Sequence, residues 1–270
     1  MHNIRLFVFL FCFPVFLSAQ LSNVIPNSLS VANASVADLS RWSAFANTAS
    51  LISFERPSLG FQYENRFFLE ELSTKSISFV YPNKLVTIGF SGSYFGYSVY
   101  NEILLGLGFA RNFSDRFSLG VQFNYQAAYF LPLNRYYAAL FPQIGLLVNL
   151  SPTFTLGFST FNPFQTKINT ETSSKQLASV FSIGCTYSFS DDLLIRFQID
   201  KELSSTYRFA GGLEYKMADL LVFKAGAYDI GYLVPCIGVE TKLRKMNVFI
   251  NTELHPLLGL ISSCSISFMF

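Results

Sequence analysis

Past its first twenty residues the chain holds one histidine, His255, beside Pro256. A hydroxyl nucleophile activated by an imidazole base would have to use it. Ser262 and Ser263 are close in sequence, but no third group that would orient the ring is evident. A histidine next to proline in an expected loop is more simply a loop residue. Cys185, Cys236 and Cys264 are odd in number and widely spaced, so they make no disulfide framework. They also lack the paired spacing of a zinc site. Glu70-Glu71 reads as a charge pair in a loop. No glycine-rich phosphate loop follows a strand and opens a helix. The residues therefore predict a non-enzymatic protein without a cofactor or metal.

The composition narrows the class. Hydrophobic residues make up 51% of the 270 positions and charged residues 13%, with 31 Phe and 14 Tyr. A soluble domain carries roughly 25% charged residues, and one this apolar would expose large greasy patches. The net charge is +2 with no Lys/Arg cluster, so a nucleic-acid partner is excluded. A spanning helix needs about 18 consecutive apolar residues. The longest run, Leu6–Leu17, is shorter. High hydrophobicity without long runs points to a membrane β-barrel.

The N-terminus reads as an export signal over residues 1–19. It has His2 and Arg5, the apolar run interrupted by Pro14, and a small-residue cleavage site at Leu17-Ser18-Ala19. From about Ser58 a two-residue period persists. Phe117, Leu119, Val121, Phe123 and Tyr125 alternate with Ser118, Gly120, Gln122, Asn124 and Gln126, and three other stretches behave alike. One face is apolar and the other small or polar. Such an alternation also fits a soluble sandwich, but the polar face here is Gly, Ser, Asn and Gln with scattered charges. Cys185 and Cys264 fall on the apolar parity and read as small lipid-facing residues. Asp200, Glu214, Glu240 and Glu253 fall on the inward parity, where Arg196, Arg208, Lys216, Lys224 and Lys242 are expected to pair with them.

Turn signals set the strand number. Tight connections fall at Pro82-Asn83, Ser114-Asp115, Ser151-Pro152, Ser190-Asp191-Asp192, Ala218-Asp219 and Arg244-Lys245. Longer or irregular ones fall at Phe68–Thr74, Phe95–Ser98, Leu131–Arg135, Asn162–Gln176, Lys201–Ser205, Asp229–Tyr232 and His255–Leu257. The two kinds alternate, and together they separate about fourteen strands, an even number as bacterial barrels require. The expected fold is all-β: an antiparallel transmembrane barrel over 56–270, with a short N-terminal plug over 20–55. Leu21–Leu51 lacks alternation, holds buried-type residues such as Trp42 and Phe45, and suits the lumen better than a periplasmic tail. Val31–Ala46 has the spacing of a short helix. Asn162–Gln176 reads as a solvated loop, too short to constrict the lumen.

The last strand ends in Phe268 and Phe270, which resembles the recognition signal of the barrel assembly machinery. The layout as a whole resembles the FadL family of long-chain fatty-acid transporters and the related PorV/PorQ proteins of type IX secretion. Members carry an exported N-terminal hatch with an Asn-Pro-Ala-Gly-Leu-like motif before a fourteen-stranded barrel. Within Trp42–Leu51, Asn47, Ala49 and Leu51 fit that motif, while Thr48 and Ser50 replace Pro and Gly. Arg56–Phe67 followed by Glu71–Tyr81 looks like the group's first hairpin. The resemblance implies an outer-membrane location, lipid as surroundings, and passage of a small hydrophobic or amphipathic solute. The alternative is a docking barrel for a secretion-system or envelope-assembly partner. A general porin fits less well, because inward positions are often Gly and Ser. Pro235 interrupts Leu233–Lys242 and Pro142 interrupts Tyr136–Leu150. Proline donates no ladder hydrogen bond and marks a bulge, an edge or a strand start. Both are expected near strand ends. The sharper reading, implied by the resemblance, is a gap in the wall through which a solute leaves sideways.

Overall fold

The computed structural model describes residues 25–26, 31–39, 42–170 and 174–270. The expected export signal at 1–19 lies outside these residues, as do parts of 20–55. Two-residue alternation becomes strand along nearly the whole chain. β1 is Ser58–Arg66, β2 Leu69–Tyr81, β3 Thr87–Gly96, β4 Tyr100–Ser114, β5 Phe117–Phe130, β6 Arg135–Ser151 and β7 Phe154–Phe161. β8, Lys167–Asn169, and β9, Ser174–Gln176, form a separate small hairpin. The chain continues through β10 Val180–Ser188, β11 Leu193–Glu202, β12 Tyr207–Ala218, β13 Leu221–Asp229, β14 Leu233–Lys242, β15 Met246–His255 and β16 Gly259–Met269. β1 pairs with both β2 and β16, so the larger sheet closes into an antiparallel barrel of fourteen strands.

The barrel is inside out relative to a soluble protein. On β5, Phe123 is 59% exposed while Asn124 is fully buried. The same parity runs along the other strands, so most aromatics face outward and Gly, Ser, Asn and Gln face inward, with Phe95, Phe141, Phe161, Tyr228 and Phe249 as inward exceptions. Lipid accepts the first set, and closure leaves no unpaired edge for it to meet. Cys264 is exposed on the outer face, and Cys236 is buried.

Both ends of the barrel chain and the turns 82–86, 115–116, 152–153, 189–192, 219–220 and 243–245 share one end, the periplasmic one by the short-turn rule. The other end carries 67–68, 97–99, 131–134, 162–179, 203–206, 230–232 and 256–258. Two expectations change here. The irregular stretch Phe68–Thr74 is not a loop. Phe67 and Phe68 make a two-residue hairpin turn, both with positive φ of 58° and 59°, as a primed turn requires. The irregularity belongs to β2, where the partner jumps from Asn65↔Ser73 to Arg66↔Leu69. His255 is not in a loop but ends β15, opposite Gly259.

Candidate functional site

The described residues of the stretch from 31 to 54, namely 31–39 and 42–54, run through the lumen. Among the described residues no continuous helix covers the expected Val31–Ala46. A 3-10 turn at Val31–Asn33 and a one-turn helix α1 at Ser43–Ala46 are followed by a 3-10 segment, Thr48–Ser53. Short side chains and the need to follow the wall favour these tight pieces over a longer helix. Wall side chains supply much of the segment's bonding. Gln198 Oε1 accepts from the backbone N–H groups of Ser35 and Val36 at 2.7 and 2.8 Å. Thr186 Oγ1 donates to the Ala37 carbonyl at 2.9 Å, and an Arg208 guanidinium N–H donates to the Ala32 carbonyl. Arg196 pairs with Asp38 at 2.8 Å. Each such bond contributes about 1 kcal/mol net, so the segment is held by the set and not by one member.

Asn47 joins the segment to itself and to the wall. Its Oδ1 accepts from the Ala49 N–H at 3.0 Å and caps the 3-10 segment. Its Nδ2 donates to the carbonyls of Val36 at 2.6 Å and Leu146, on β6, at 3.1 Å. Asn47, Ala49 and Leu51 are fully buried, and Trp42 is nearly so, stacked on Phe45. Close approach explains the glycines opposite. A Cβ on Gly145 would sit 2.0 Å from Asn47 Oδ1, and one on Gly120 would sit 2.4 Å from the Ala49 nitrogen. Gly120 and Gly145 are direct partners on β5 and β6, so together they make a flat bed for residues 47–49.

The segment separates two cavities. On the periplasmic side a cavity of about 440 Å³ is bounded by Asp38, Leu39 and Trp42 of the segment. On the outer side a cavity of about 170 Å³ is bounded by Asn33, Ser35, Val36, Phe45 and Ala46. The periplasmic one carries a ladder of alternating charge across β11 to β15. Arg196 reaches Asp38 and Glu214, Lys224 reaches Glu214 at 2.8 Å and Glu240 at 3.0 Å, and Asn247 donates to Glu240 at 2.8 Å. Glu214, Glu240, Arg196 and Lys224 pair as the parity predicts, as do Asp200 and Arg208, whereas Glu253 and Lys242 make no ion pair among the described residues. Lys216 instead reaches Asp219 at the rim. Buried charges without partners would cost several kcal/mol each. Alternation along the ladder removes that cost.

The long outer connection overturns its expected reading. It folds inward, with β8 packing beside β6. Ile168 is fully buried among Phe95, Leu104, Ala128, Phe141 and Phe161 of the wall, and Leu177 and Ala178 join the same cluster. Lys175 on β9 pairs with Glu102 on β4 at 2.6 Å and donates to the Tyr100 hydroxyl at 2.6 Å. The polar composition of 162–176 hid its one apolar anchor, Ile168, and Leu177 and Ala178 lie just past that stretch. The outer lumen above the segment is therefore apolar on the β3 to β7 side.

Pro142 lies inside β6, opposite Phe123, and not at a strand end. The β6–β7 ladder begins one residue later, at Gln143↔Phe161, and the Asn162 N–H reaches the Pro142 carbonyl at 3.2 Å. Pro235 is the third residue of β14, opposite Ala227, and the β14–β15 ladder likewise begins one residue later, at Cys236↔Glu253. Phe268 and Phe270 are outward on and just beyond β16, where Phe268 pairs with Leu59 and Met246. The His255 ring serves local structure: Nδ1 accepts from the N–H groups of Leu257 and Leu258, and Nε2 lies 2.6 Å from the Tyr232 hydroxyl.

Neither protein-family models nor curated proteins match the chain. Solved structures do. A Pseudomonas aeruginosa FadL homologue superposes with a TM-score of 0.63 at 12% identity, over 92% of this chain and 95% of that one. The P. putida toluene transporter TodX gives 0.58 at 10% identity, over 86% and 94%. Omp33, an outer membrane protein of Acinetobacter baumannii, gives 0.52 at 9%, over 80% and 98%. At such identities the likeness is one of fold. The protein is a β-barrel of the bacterial outer-membrane type.

Proposed function

We propose that the protein is a passage barrel of the outer membrane for small hydrophobic or amphipathic solutes, with residues 31–54 as its internal gate. The observation that carries this reading is the pair of cavities, one on each side of the segment. A solid lumen would serve structure alone, and an open one would pass ions freely. The apolar cluster above the segment supplies a first resting place for a hydrophobic solute. Two of the similar solved structures are a FadL homologue and a toluene transporter, which agrees with this chemistry. The exit that fits best is sideways at Pro142. There β6 continues past the end of its ladder with β7, and the apolar cluster lies directly behind. Among the described residues no surface favours the secretion-docking alternative.

The test is entry of an uncharged hydrophobic dye into cells whose outer membrane otherwise retards it. Cells carrying the protein should take up the dye several-fold faster than cells without it, while the ion conductance of the purified barrel in planar bilayers stays small. Unchanged dye entry would end the passage reading.

A further inference from the structure

The charges around the outer cavity set what it accepts. Among the described residues its two cations are both engaged: Arg66 pairs with Glu64 at 2.7 Å, and Arg208 pairs with Asp200 and the Ala32 carbonyl. Two further carboxylates line it, Glu202 and Glu253. Neither has an ion-pair partner among the described residues. Glu253 is 1% exposed and accepts from the Tyr228 hydroxyl at 3.1 Å, and Glu202 accepts only from Ser204 and Ser205, at 3.3 and 3.4 Å. The lining also holds Phe45, Phe161, Val180 and Ile261, with Val180 and Ile261 the cross-strand neighbours of Glu202 and Glu253. A carboxylate entering here would meet no uncommitted cation, and in a medium of low dielectric it would be repelled by the carboxylates already present.

We infer that the outer cavity is a charge filter: it admits uncharged solutes of about one aromatic ring and rejects their carboxylates, with Glu202 and Glu253 as the specificity-determining residues. The size follows from the volume. A cavity of about 150 Å³ holds benzene, and this one, lined by charged as well as apolar side chains, measures about 170 Å³. The sign follows from the engaged arginines and the surplus carboxylates. This inference rests on the passage reading and sharpens it.

Two ligands of nearly equal shape test it, 4-fluorobenzyl alcohol and 4-fluorobenzoate. Binding to the full protein in lipid nanodiscs is read by fluorine NMR at pH 7.5, with empty nanodiscs subtracted. Val180→Trp fills the cavity and identifies the signal that belongs to it. The wild-type protein should bind the alcohol at least about tenfold more tightly than the benzoate, as one unpaired like charge nearby suffices to cause. In Glu202→Gln/Glu253→Gln the preference should fall to within about threefold, through gained benzoate affinity with the alcohol unchanged. Equal binding of both ligands, abolished by Val180→Trp, would overturn the filter and leave the passage reading standing. The filter is also wrong if the double variant keeps the full preference. Absence of any Val180→Trp-sensitive binding, together with unchanged dye entry, would instead remove the passage reading on which the filter depends.

Discussion

Asn47 does three things with one amide: it caps the 3-10 segment, bonds back to Val36 and reaches the wall at Leu146. Alanine there removes a cap worth about 1 kcal/mol and leaves two buried carbonyls short of a donor at about 1–3 kcal/mol each. Asn47→Ala should therefore loosen residues 31–54 without unfolding the barrel. Hydrogen exchange should rise at least about tenfold within the segment while the strands stay protected, and equal protection before and after would contradict the assigned role. Gly145→Leu should act in the same direction from the wall side, because its Cβ alone would sit 2.0 Å from Asn47 Oδ1. At this scale the sequence was only partly readable. The two-residue parity placed Glu214, Lys224 and Asp200 inward, where they pair. It also placed glycines inward, but which glycine faces Asn47 depends on register across six strands, and no local pattern records that.

The β8–β9 hairpin is an element whose composition misleads. Lys167, Asn169, Ser174, Lys175 and Gln176 read as solvated, yet Ile168 is buried and Lys175 bridges to Glu102. One apolar residue in a three-residue strand sets no period, so only the tertiary cluster shows where it goes. Lys175→Ala leaves Glu102 with Gln126 and Tyr100 as partners and unpins the hairpin. Protease cleavage within 167–176 on intact cells should become faster several-fold, and an unchanged rate would show that the apolar anchors Ile168, Leu177 and Ala178 hold it without the ion pair. The neighbouring edge of β6 carries a separate expectation. Ala139 packs against the apolar cluster beside the point where the β6–β7 ladder ends. Ala139→Trp should slow dye entry several-fold with ion conductance unaltered if the solute leaves there. Undiminished entry would place the exit elsewhere.

The whole molecule depends on which face meets lipid. Strand number and alternation were both legible, because closure and a lipid exterior impose one period along the entire chain. Phe123 is outward near the middle of β5. Phe123→Arg should cost about 2–4 kcal/mol in folding from urea into lipid vesicles, and Phe123→Leu far less. Comparable costs for both would be incompatible with a lipid-facing position. The path through the lumen was less legible, since it is made by residues 31–54 and the inward hairpin, neither of which carries a strand or helix period.

As the proposed gate, this segment must move for a solute to pass, and a reversible tether tests it. A Cβ on Gly108 would lie 2.9 Å from Thr48 Cγ2, so the two Cβ atoms are within the roughly 3.5–4.5 Å that a disulfide spans. In a background with Cys185, Cys236 and Cys264 changed to serine, Thr48→Cys/Gly108→Cys should fix the segment to β4 when oxidised and free it when reduced. The measurement is the rate of hydrophobic dye entry into one batch of cells before and after a reductant. Entry should stay near the level of cells lacking the protein while the bond is intact, and recover to the rate of the serine-background parent on reduction. Equal, protein-dependent entry in both states would contradict it.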